Sequence, residues 1–429
     1  MSDFNNADKP KESEASVKSR RDLLPNDEEK HWFDVCRSFL CYEGFLFQDL
    51  SNRQRHMNRL TNHQASLLPE ISFSKMNKVG RAIKYNQDFF IDLVRHYMAS
   101  TPYSGNSEDI DNRLPDKEDG PAIPYGQQHR NKAVLHSIAR EWSSDGNTER
   151  LETFTIIIDR LKQILPVATD GSNNYKQRVL VPGCGVGRLP IEIASEGYAT
   201  EGNEFSAFML MAGNFVMNGI REANSYEICP WLDAVCNVVH VNDPMETARI
   251  PDTAAMDVLN SKGLFTDNSN GQDQLPFPKF AMASGDFVEV YGPGRDNGEQ
   301  YDAIVTCFFV DTAPVVIDYI ETIHHALKKG GVWVNFGPLL YHWHSDTENN
   351  GDDRYNQSIE LSYEELKLVI EKVGFQLHKK EDYELNTQSH QRVTDIDEHS
   401  CMISCGYTAN RNSLMNTNYN AILFSATKL

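Results

Sequence analysis

The sequence predicts an α/β protein in which a Rossmann-like, doubly wound sheet follows an all-helical N-terminal region. Up to residue 165, apolar residues recur at helical spacing. From Arg178 the pattern changes, because residues 179–181 have the composition of a strand buried on both faces of a parallel sheet. A glycine turn and a helix follow this strand. Further apolar runs separated by helical stretches repeat the order, which is typical of a doubly wound α/β sheet.

The composition divides the chain of 429 residues into three parts. Residues 1–26 are polar and charged, and we predict a disordered tail there. Residues 27–165 form the predicted helical region, which contains a polar acidic linker at 104–120. Residues 166–429 are predicted to form the sheet domain, with a polar insertion at 243–274 that is partly ordered near its middle.

Five further strands are expected after the first one, and each is an apolar run bounded by turn residues. The second strand ends at Glu204, and the others cover residues 280–284, 301–309, 331–336 and 420–429. Between the fourth and fifth strands, apolar residues at helical spacing predict a helix that stops at Gly330.

The charge and cysteine content exclude several classes of protein. With 61 Asp and Glu against 41 Lys and Arg, the formal net charge is −20, which argues against a nucleic-acid partner and an anionic membrane surface. No apolar run approaches the about 20 residues of a membrane helix, and the first residues lack the apolar segment of a secretory signal. Eight cysteines without a CxxC pair predict neither a disulfide framework nor a zinc site. We expect a reduced, cytoplasmic protein, with the nucleus as a second compartment.

The run Gly183-Cys184-Gly185-Val186-Gly187 lies directly after the first predicted strand and opens a helix. Glycines in such a turn let the backbone approach a ligand closely, and the helix N-terminus presents free amide groups. The spacing is GxGxG, and Arg188 stands where a dinucleotide fingerprint has its third glycine. This form favours S-adenosylmethionine as the ligand, with Gly183 and Gly185 as candidate contacts.

Later positions fit the same ligand. Glu204 ends the second strand, where a carboxylate can accept hydrogen bonds from both ribose hydroxyls; a solvated Glu beside a tight turn is the alternative. Asp286 and Phe287 close the third strand, where they would bind the adenine amino group and cover its ring, although Asp286 would equally cap a turn. Cys307, near the end of the fourth strand, would approach the sulfonium end of the cofactor or fill the core.

Five segments of the chain resemble the carnosine N-methyltransferases, in their fungal-type form. They are VLVPGCGVGRL, GYATEGNEFSAFML, GDFVEVY, CFFVDTA and NFGPLLYHW, within a resemblance that spans roughly residues 120–429. Members of this family transfer a methyl group from S-adenosylmethionine to an imidazole nitrogen of carnosine, a histidine dipeptide, and give anserine. The resemblance implies a Rossmann-like methyltransferase sheet with a helical N-terminal region, and homodimers are known among its members.

The resemblance also implies two sets of site residues. The positions matching cofactor contacts are Gly183, Glu204, Asp286 and Phe287, together with Gln127 and Arg130, which match a Gln and an Arg that close over the methionine carboxylate. The positions matching substrate contacts are Asp311, His342 and Tyr419, with Tyr407 as a further candidate.

Methylating an imidazole requires a neutral ring nitrogen with a free lone pair. A carboxylate that accepts the N–H of one ring nitrogen leaves the other unprotonated. Asp311 follows the fourth strand, at the edge of the sheet where such folds bind ligands, and suits this role; capping the next helix is the alternative. His342 follows the fifth strand on the same edge, and a structural histidine is the alternative. His344 two residues on raises the question of a metal site, but no third ligand has suitable spacing, so we predict no metal. Tyr419 would donate a hydrogen bond or pack as an edge aromatic.

The leading hypothesis is therefore an S-adenosylmethionine-dependent N-methyltransferase acting on carnosine or a related histidine-containing peptide. Alternatives are a methyltransferase of protein histidine and a binding protein with a methyltransferase fold but no activity. Gly183, Glu204, Asp286 and Asp311 argue against the inactive alternative, because all four are present. A nicotinamide dehydrogenase is disfavoured by Arg188.

Overall fold

The structure is a computed structural model, and its description covers most of the chain. The described residues are 24, 26–100, 114–115, 120–167, 177–262, 280–296, 298–343, 356–382, 384–408 and 410–429. Nearly all of the predicted N-terminal tail, most of the predicted linker at 104–120 and residues 263–274 of the predicted insertion therefore lie outside the described residues.

Within the described residues, six α-helices precede the first strand, which confirms the all-helical region that the apolar spacing predicts. They are α1 (Asp27–Leu40), α2 (Tyr42–Met57), α3 (Asn62–Leu67), α4 (Glu70–Ser100), α5 (Tyr125–Trp142) and α6 (Asn147–Ile164). Local sequence sets their ends. Asn26, for example, caps α1 by accepting a 2.8 Å hydrogen bond from the amide of Glu29, and three acidic residues occupy the first turn.

Strands and helices then alternate to the end of the chain. They are β1 (Arg178–Pro182), α7 (Arg188–Ser195), β2 (Ala199–Glu204), α8 (Ala207–Asn214), β3 (Tyr226–Ile228), β4 (Ala248–Ile250), α9 (Ala255–Asn260), β5 (Phe280–Ser284), α10 (Phe287–Tyr291), β6 (Tyr301–Cys307), α11 (Val316–Ala326), β7 (Leu327–Gly337), α12 (Tyr363–Val373), β8 (Phe375–Leu377), β9 (Val393–Asp395), β10 (Cys401–Gly406) and β11 (Asn418–Lys428).

The main sheet has the strand order β5-β2-β1-β6-β7-β11-β10-β9, and β8 pairs with the same edge of β11 as β10 does. The first five strands of this order are mutually parallel, whereas β11 runs antiparallel to β7 and carries an antiparallel extension. The chain moves outward from β1 to β2 and β5, and then returns to the other side of β1 with β6. The strand order therefore reverses between β1 and β6, which confirms the predicted doubly wound sheet and locates its ligand-binding crevice.

The helical region shares a hydrophobic core with the helices of the sheet. Phe39 of α1 lies with its ring centroid 4.8 Å from that of Phe90 of α4 and 5.2 Å from that of Phe208 of α8. All three side chains are almost wholly buried. Helix α5 crosses from this core to the N-terminus of α7, where the buried indole of Trp142 donates a 3.0 Å hydrogen bond to the carbonyl of Val186 in the glycine turn.

Two predicted boundaries are wrong, and both have local causes. Strand β6 ends at Cys307 rather than at residue 309, because Phe308 adopts a positive φ of 51° that breaks the extended chain. Helix α11 ends at Ala326, before the predicted stop at Gly330. The pairing of β6 with β7 shifts register there, and Gly330, with φ of 77°, lies in the residues that bulge out of β7.

Several short elements were not predicted from the sequence. The antiparallel pair β3–β4 and the strands β8 and β9 have three residues each, which is too short to stand out by periodicity. Strand β10 and helix α12 were also missed, although α12 carries the capping box Ser362 and Glu365 at its start and Gly374 at its end. Helix α9 confirms local order within the predicted insertion at 243–274.

Candidate active site

The crevice between β1 and β6 is lined by two turns at the carboxyl edge of the sheet. One is the glycine turn after β1, and the other is the segment from Phe308 to a 3₁₀ turn, Val310–Thr312, after β6. Since most of the predicted site residues lie on these turns or directly beside them, topology brings them to one edge of the molecule.

The glycine turn has a backbone that only glycine adopts without strain. Gly183 and Gly185 have φ of 63° and 58°, in the left-handed region. A Cβ atom on Gly183 would lie 2.2 Å from Cδ2 of Phe309, and one on Gly185 would lie 2.8 Å from Oε1 of Glu141. The two glycines therefore let a buried aromatic ring and a buried carboxylate approach the turn closely.

We predict that Gly183→Ala destabilises the protein more than Gly330→Ala, which serves as its control. Both positions have positive φ, so each alanine costs about 1–2 kcal/mol of strain. Only Gly183 has a neighbour in the way, which adds about 1–3 kcal/mol, since nothing lies within 4 Å of a Cβ at Gly330. Chemical denaturation measures the difference, and equal losses in the two variants would contradict the packing described at Gly183.

Glu204 faces the glycine turn from the end of β2. Its Oε2 accepts a 2.9 Å hydrogen bond from the amide of Gly185, and its Oε1 accepts one of 2.8 Å from the amide of Ser206. Burial raises the pKa of Glu204, although these backbone hydrogen bonds partly oppose the rise. An ionised carboxylate has about four acceptor positions, so this one retains capacity for the hydroxyls of a ribose.

Asp286 and Phe287 follow β5, the strand beside β2. The carboxylate of Asp286 caps α10, because Oδ1 accepts hydrogen bonds of 2.9 and 3.2 Å from the amides of Val288 and Glu289. The ring of Phe287 is buried and packs edge-on against Phe309 at 5.4 Å between centroids. Both residues thus have structural roles, and their contacts with an adenine ring stay predictions.

Asp311 lies in the second turn of the crevice and is only 2% exposed. Its Oδ2 accepts a 2.9 Å hydrogen bond from the amide of Leu340, and its backbone carbonyl accepts one of 3.0 Å from the amide of His342. The structure therefore brings the segments after β6 and β7 together, with the imidazole of His342 exposed. Burial raises the pKa of Asp311, and the nearby His342 acts in the opposite direction.

Tyr407 and Tyr419 come together against Phe308. The ring centroid of Phe308 lies 4.6 Å from that of Tyr407 and 5.8 Å from that of Tyr419, and the two tyrosines are 5.9 Å apart. Because both phenols are half-buried, they form an aromatic wall beside the end of β6. Burial raises the pKa of Tyr407, so its hydroxyl stays protonated at neutral pH and can donate a hydrogen bond.

Two glutamates of α6, which we did not predict from the sequence, hold the segment 406–408, here called the Tyr407 loop. Glu149 accepts a 2.9 Å hydrogen bond from the amide of Thr408, and Glu152 accepts one of 3.1 Å from the amide of Gly406. Both side chains are buried. They lie on the same buried face of α6 as Ile156. Acidic residues on an otherwise apolar helix face are a sequence signal that each carboxylate has a specific hydrogen-bond partner in the folded protein.

Strained backbone marks the same site. Among the described residues six non-glycine residues have positive φ, and three of them, Phe308, Tyr341 and Thr408, are direct neighbours of Cys307, His342 and Tyr407. Aromatic and β-branched residues rarely adopt this conformation, which costs about 1–3 kcal/mol at each position. This clustering supports a functional role for the crevice.

A buried ion pair at the end of α5 also borders the crevice and was missed from the sequence. Arg140 places its guanidinium carbon 4.8 Å from the ring centroid of Tyr407, and Glu141 lies beside the glycine turn. Cys307 is close to Arg140, and burial raises the pKa of its thiol to about 11 in spite of that positive charge. The sequence signal for this ion pair is that two adjacent charged residues stand on α5 between Ile138 and Trp142, which are apolar and buried.

Gln127 and Arg130 lie in the first turns of α5, away from this ion pair. Arg130 is exposed, and its guanidinium carbon is 5.8 Å from the ring centroid of Phe208. Gln127 accepts a 3.4 Å hydrogen bond from Ser38 through its backbone carbonyl. Within the described residues neither side chain makes a hydrogen bond to the glycine turn, so their contact with a cofactor stays a prediction.

No metal centre and no membrane span are found in the part of the chain that the structure describes. Its His, Cys, Asp and Glu side chains form no group of three or more that could hold an ion, and His344 lies outside the described residues. In the same part, no helix combines the length and the apolar character needed to cross a bilayer.

The crevice fits S-adenosylmethionine. Three features suit a nucleoside with a short charged tail. The glycine turn lets a ligand approach the backbone, the carboxylate at the end of β2 has unused acceptor capacity, and both lie where the strand order reverses. The fold and the site thus define an S-adenosylmethionine-dependent methyltransferase. More narrowly, the chain belongs to the carnosine N-methyltransferase family, since the family model described as "Carnosine N-methyltransferase" matches residues 123–429.

Relatives from distant organisms agree with this membership. A Mus musculus protein named carnosine N-methyltransferase is 32% identical over 401 residues, which are 94% of this chain and 86% of that protein. A Schizosaccharomyces pombe protein of the same name is 30% identical over 352 residues, covering 81% of this chain and 87% of that protein.

Similarity to solved structures is weaker. Phosphoethanolamine N-methyltransferase 2 of Haemonchus contortus in complex with S-adenosyl-L-methionine has a TM-score of 0.32 and 16% identity, and the match covers 58% of this chain and 43% of that chain. The assignment of the fold therefore depends on the strand order and the family match.

Proposed function

We propose that this enzyme transfers the methyl group of S-adenosylmethionine to an imidazole nitrogen of carnosine, which gives anserine. The observation that carries the proposal is the buried carboxylate of Asp311 in the crevice between β1 and β6, with an aromatic wall at the end of β6. The names of the relatives also support carnosine as the substrate.

Asp311 would select the reactive form of the imidazole ring. The cofactor supplies a methyl carbon attached to a positively charged sulfur. The Leu340 amide holds one carboxylate oxygen of Asp311 at 2.9 Å, which fixes the orientation of the carboxylate. The carboxylate would accept the N–H of one ring nitrogen, so that the lone pair of the other nitrogen is free to attack. The new N–C bond would form as the C–S bond breaks, which leaves S-adenosylhomocysteine and a methylated imidazolium ring. The N–H proton of this ring can then pass to Asp311 and on to water, which gives the neutral product.

The aromatic wall of Phe308, Tyr407 and Tyr419 would orient the ring. Flat rings pack favourably against an imidazole and exclude water from it. The Tyr407 loop cannot move freely, because Glu149 and Glu152 hold the amides on both sides of this residue. Orienting a bound nucleophile in this way is a large source of rate acceleration.

Purified protein, S-adenosylmethionine and a panel of histidine dipeptides test the proposal by mass spectrometry. We expect a single added methyl group on carnosine, on the imidazole ring. Methylation of a protein histidine in a cell extract, with no dipeptide modified, would instead favour the protein-histidine alternative. Cofactor binding without any methyl acceptor would favour a binding protein.

The dependence of activity on pH gives a second test of the mechanism. The imidazole of the free substrate, with a pKa near ~6.5, must be neutral. Asp311 must be ionised, and because burial raises its pKa, protonation of this carboxylate begins at a higher pH than usual on acidification. We expect kcat/KM to be constant at alkaline pH, to fall about tenfold per pH unit below ~6.5 and to fall more steeply once Asp311 is protonated. A flat profile through this range contradicts the mechanism.

A further inference from the structure

Strand β10 ends directly before Tyr407, and a carboxylate takes the place of a neighbouring strand there. Strand β9 accompanies β10 along only part of its length. Beyond that part, the amide of Ser404 donates a 2.9 Å hydrogen bond to the carbonyl of Arg392. The next amide on the same edge, that of Gly406, donates one of 3.1 Å to Oε2 of Glu152 on α6. Glu152 therefore fixes the backbone from which the ring of Tyr407 enters the aromatic wall.

The second oxygen of this carboxylate is reached from the protein surface. Because Glu152 is only 6% exposed, both of its oxygens require donors. Oε1 contacts Nε2 of His390, whose imidazole is 59% exposed. The next residue, Gln391, donates hydrogen bonds of 3.1 and 3.2 Å from Nε2 to the carbonyls of Glu152 and Ser404. The segment 388–392 thus bridges α6 and β10, and His390 is its contact with the buried carboxylate.

Loss of the imidazole would loosen the Tyr407 loop. Oε1 of Glu152 has no other hydrogen-bond donor in the part of the chain that the structure describes. A buried carboxylate that loses one of its two donors turns toward water or takes up a proton, and either change weakens its bond to the amide of Gly406. On the other side of Tyr407, Thr408 has a strained φ of 47°. Strained backbone persists only while its surroundings hold it, so a weakened anchor lets the loop relax.

We propose that His390 is a positioning residue for methyl transfer, which acts through Glu152 on the backbone of Tyr407. The contact carried by its imidazole is with the carboxylate, so the effect on the reaction is indirect. The inference rests on the proposed function, because Tyr407 is expected to face the imidazole ring of the methyl acceptor. Better orientation of that ring is the gain that His390 supplies.

Steady-state kinetics with carnosine at saturating S-adenosylmethionine test this role. We expect His390→Ala to raise KM about threefold and Glu152→Ala to raise it at least about tenfold, with a lower kcat in both variants. His390→Gln should restore KM, because its amide group can donate to the same oxygen. A merely structural loss would reduce the amount of folded enzyme and leave KM unchanged, which would contradict the inference.

A matched control and a binding measurement accompany the kinetics. Asp159→Ala removes another carboxylate of α6, which accepts a 3.0 Å hydrogen bond from Asn386, and should leave kcat and KM unchanged. Calorimetry with S-adenosylhomocysteine should give affinities within about twofold of the native value for every variant. Weakened cofactor binding in His390→Ala would place its effect elsewhere in the crevice and overturn the assignment.

The double variant with Glu152→Ala and His390→Ala tests the route of the effect. If His390 acts through Glu152, the double variant should have the KM of Glu152→Ala alone, since the second substitution has nothing left to disturb. If the two increases in KM multiply, His390 acts by another route and the inference is wrong.

The position of the ring gives a readout that does not depend on turnover. 3-Fluorotyrosine in place of Tyr407 provides a ¹⁹F resonance that reports the surroundings of the ring. We expect this resonance to shift or broaden in His390→Ala and to return in His390→Gln. An unchanged resonance together with a raised KM would assign His390 to direct contact with carnosine and would overturn its action through Glu152.

The outcomes separate this inference from the proposed function. A native enzyme that methylates no imidazole compound would refute the proposed function. An active native enzyme whose KM for carnosine is unchanged by both His390→Ala and Glu152→Ala would refute the positioning role alone.

Discussion

Replacing Asp311 with asparagine is expected to lower the turnover of carnosine methylation by about 10²- to 10⁴-fold. The amide has nearly the shape of the carboxylate, and its oxygen can still accept the hydrogen bond from Leu340. Its NH₂ group, however, would donate to the ring nitrogen instead of accepting from it, which favours the wrong tautomer. Single-turnover kinetics with saturating cofactor measure the effect directly. Turnover within a few fold of the native enzyme would remove Asp311 from the mechanism.

The same variant should bind S-adenosylhomocysteine normally and fold at least as stably as the native protein. The pKa of Asp311 is raised in the folded state, so protonation favours folding and this advantage is lost as pH rises through the folded-state pKa. At pH 8 the native protein bears the full cost of a buried ionised group, whereas asparagine does not. Asp318→Asn, at an exposed position on α11, is the matched control and should leave turnover unchanged.

Replacing Glu204 with alanine is expected to weaken cofactor binding by about 1–3 kcal/mol, or roughly 5- to 150-fold. The variant loses the acceptors that face the crevice, and it also releases the amide of Gly185. Calorimetry with S-adenosylhomocysteine measures the total loss.

A 2′,3′-dideoxy analogue of S-adenosylhomocysteine distinguishes the two contributions to this loss. If Glu204 binds the ribose hydroxyls, Glu204→Ala should reduce affinity for the analogue far less than for the parent ligand. Glu196→Ala, which removes a carboxylate paired with Lys162 and Lys262 just after α7, is the control and should bind both ligands normally. Equal losses for the two ligands would assign Glu204 to shaping the turn alone.

The parallel part of the fold could be predicted because its signals are local. Residues 179–181 are uniformly apolar, and the glycines after them mark a turn in which the backbone can adopt positive φ. The antiparallel extension could not be predicted in the same way. Strands β8 and β9 have three residues each, and only pairing with neighbours distant in sequence makes them strands.

Positions at one edge of the sheet could be predicted for residues that end or closely follow a strand, as Glu204 and Asp311 do, because strand order alone brings them there. The ion pair at the end of α5 and the two glutamates of α6 were missed. Arg140 and Glu149 belong to α5 and α6, and whether their side chains reach the crevice depends on how those helices cross the sheet. Helix crossing angles depend on tertiary contacts, which the periodicity and motifs of the sequence do not predict.

The aromatic contacts of Phe39 and Phe90 with Phe208 have a practical consequence for anyone who shortens the protein. The match to the family model begins at residue 123, yet a fragment starting there would lack α1 and α4 and would expose Phe208 to water. Exposing each large side chain in this way lowers the free energy of unfolding by about 1.5–3 kcal/mol and enlarges an apolar surface patch that favours aggregation. The residues that the family model matches are thus fewer than those that the folded core requires, and an expression vector should include the helices from α1 onward.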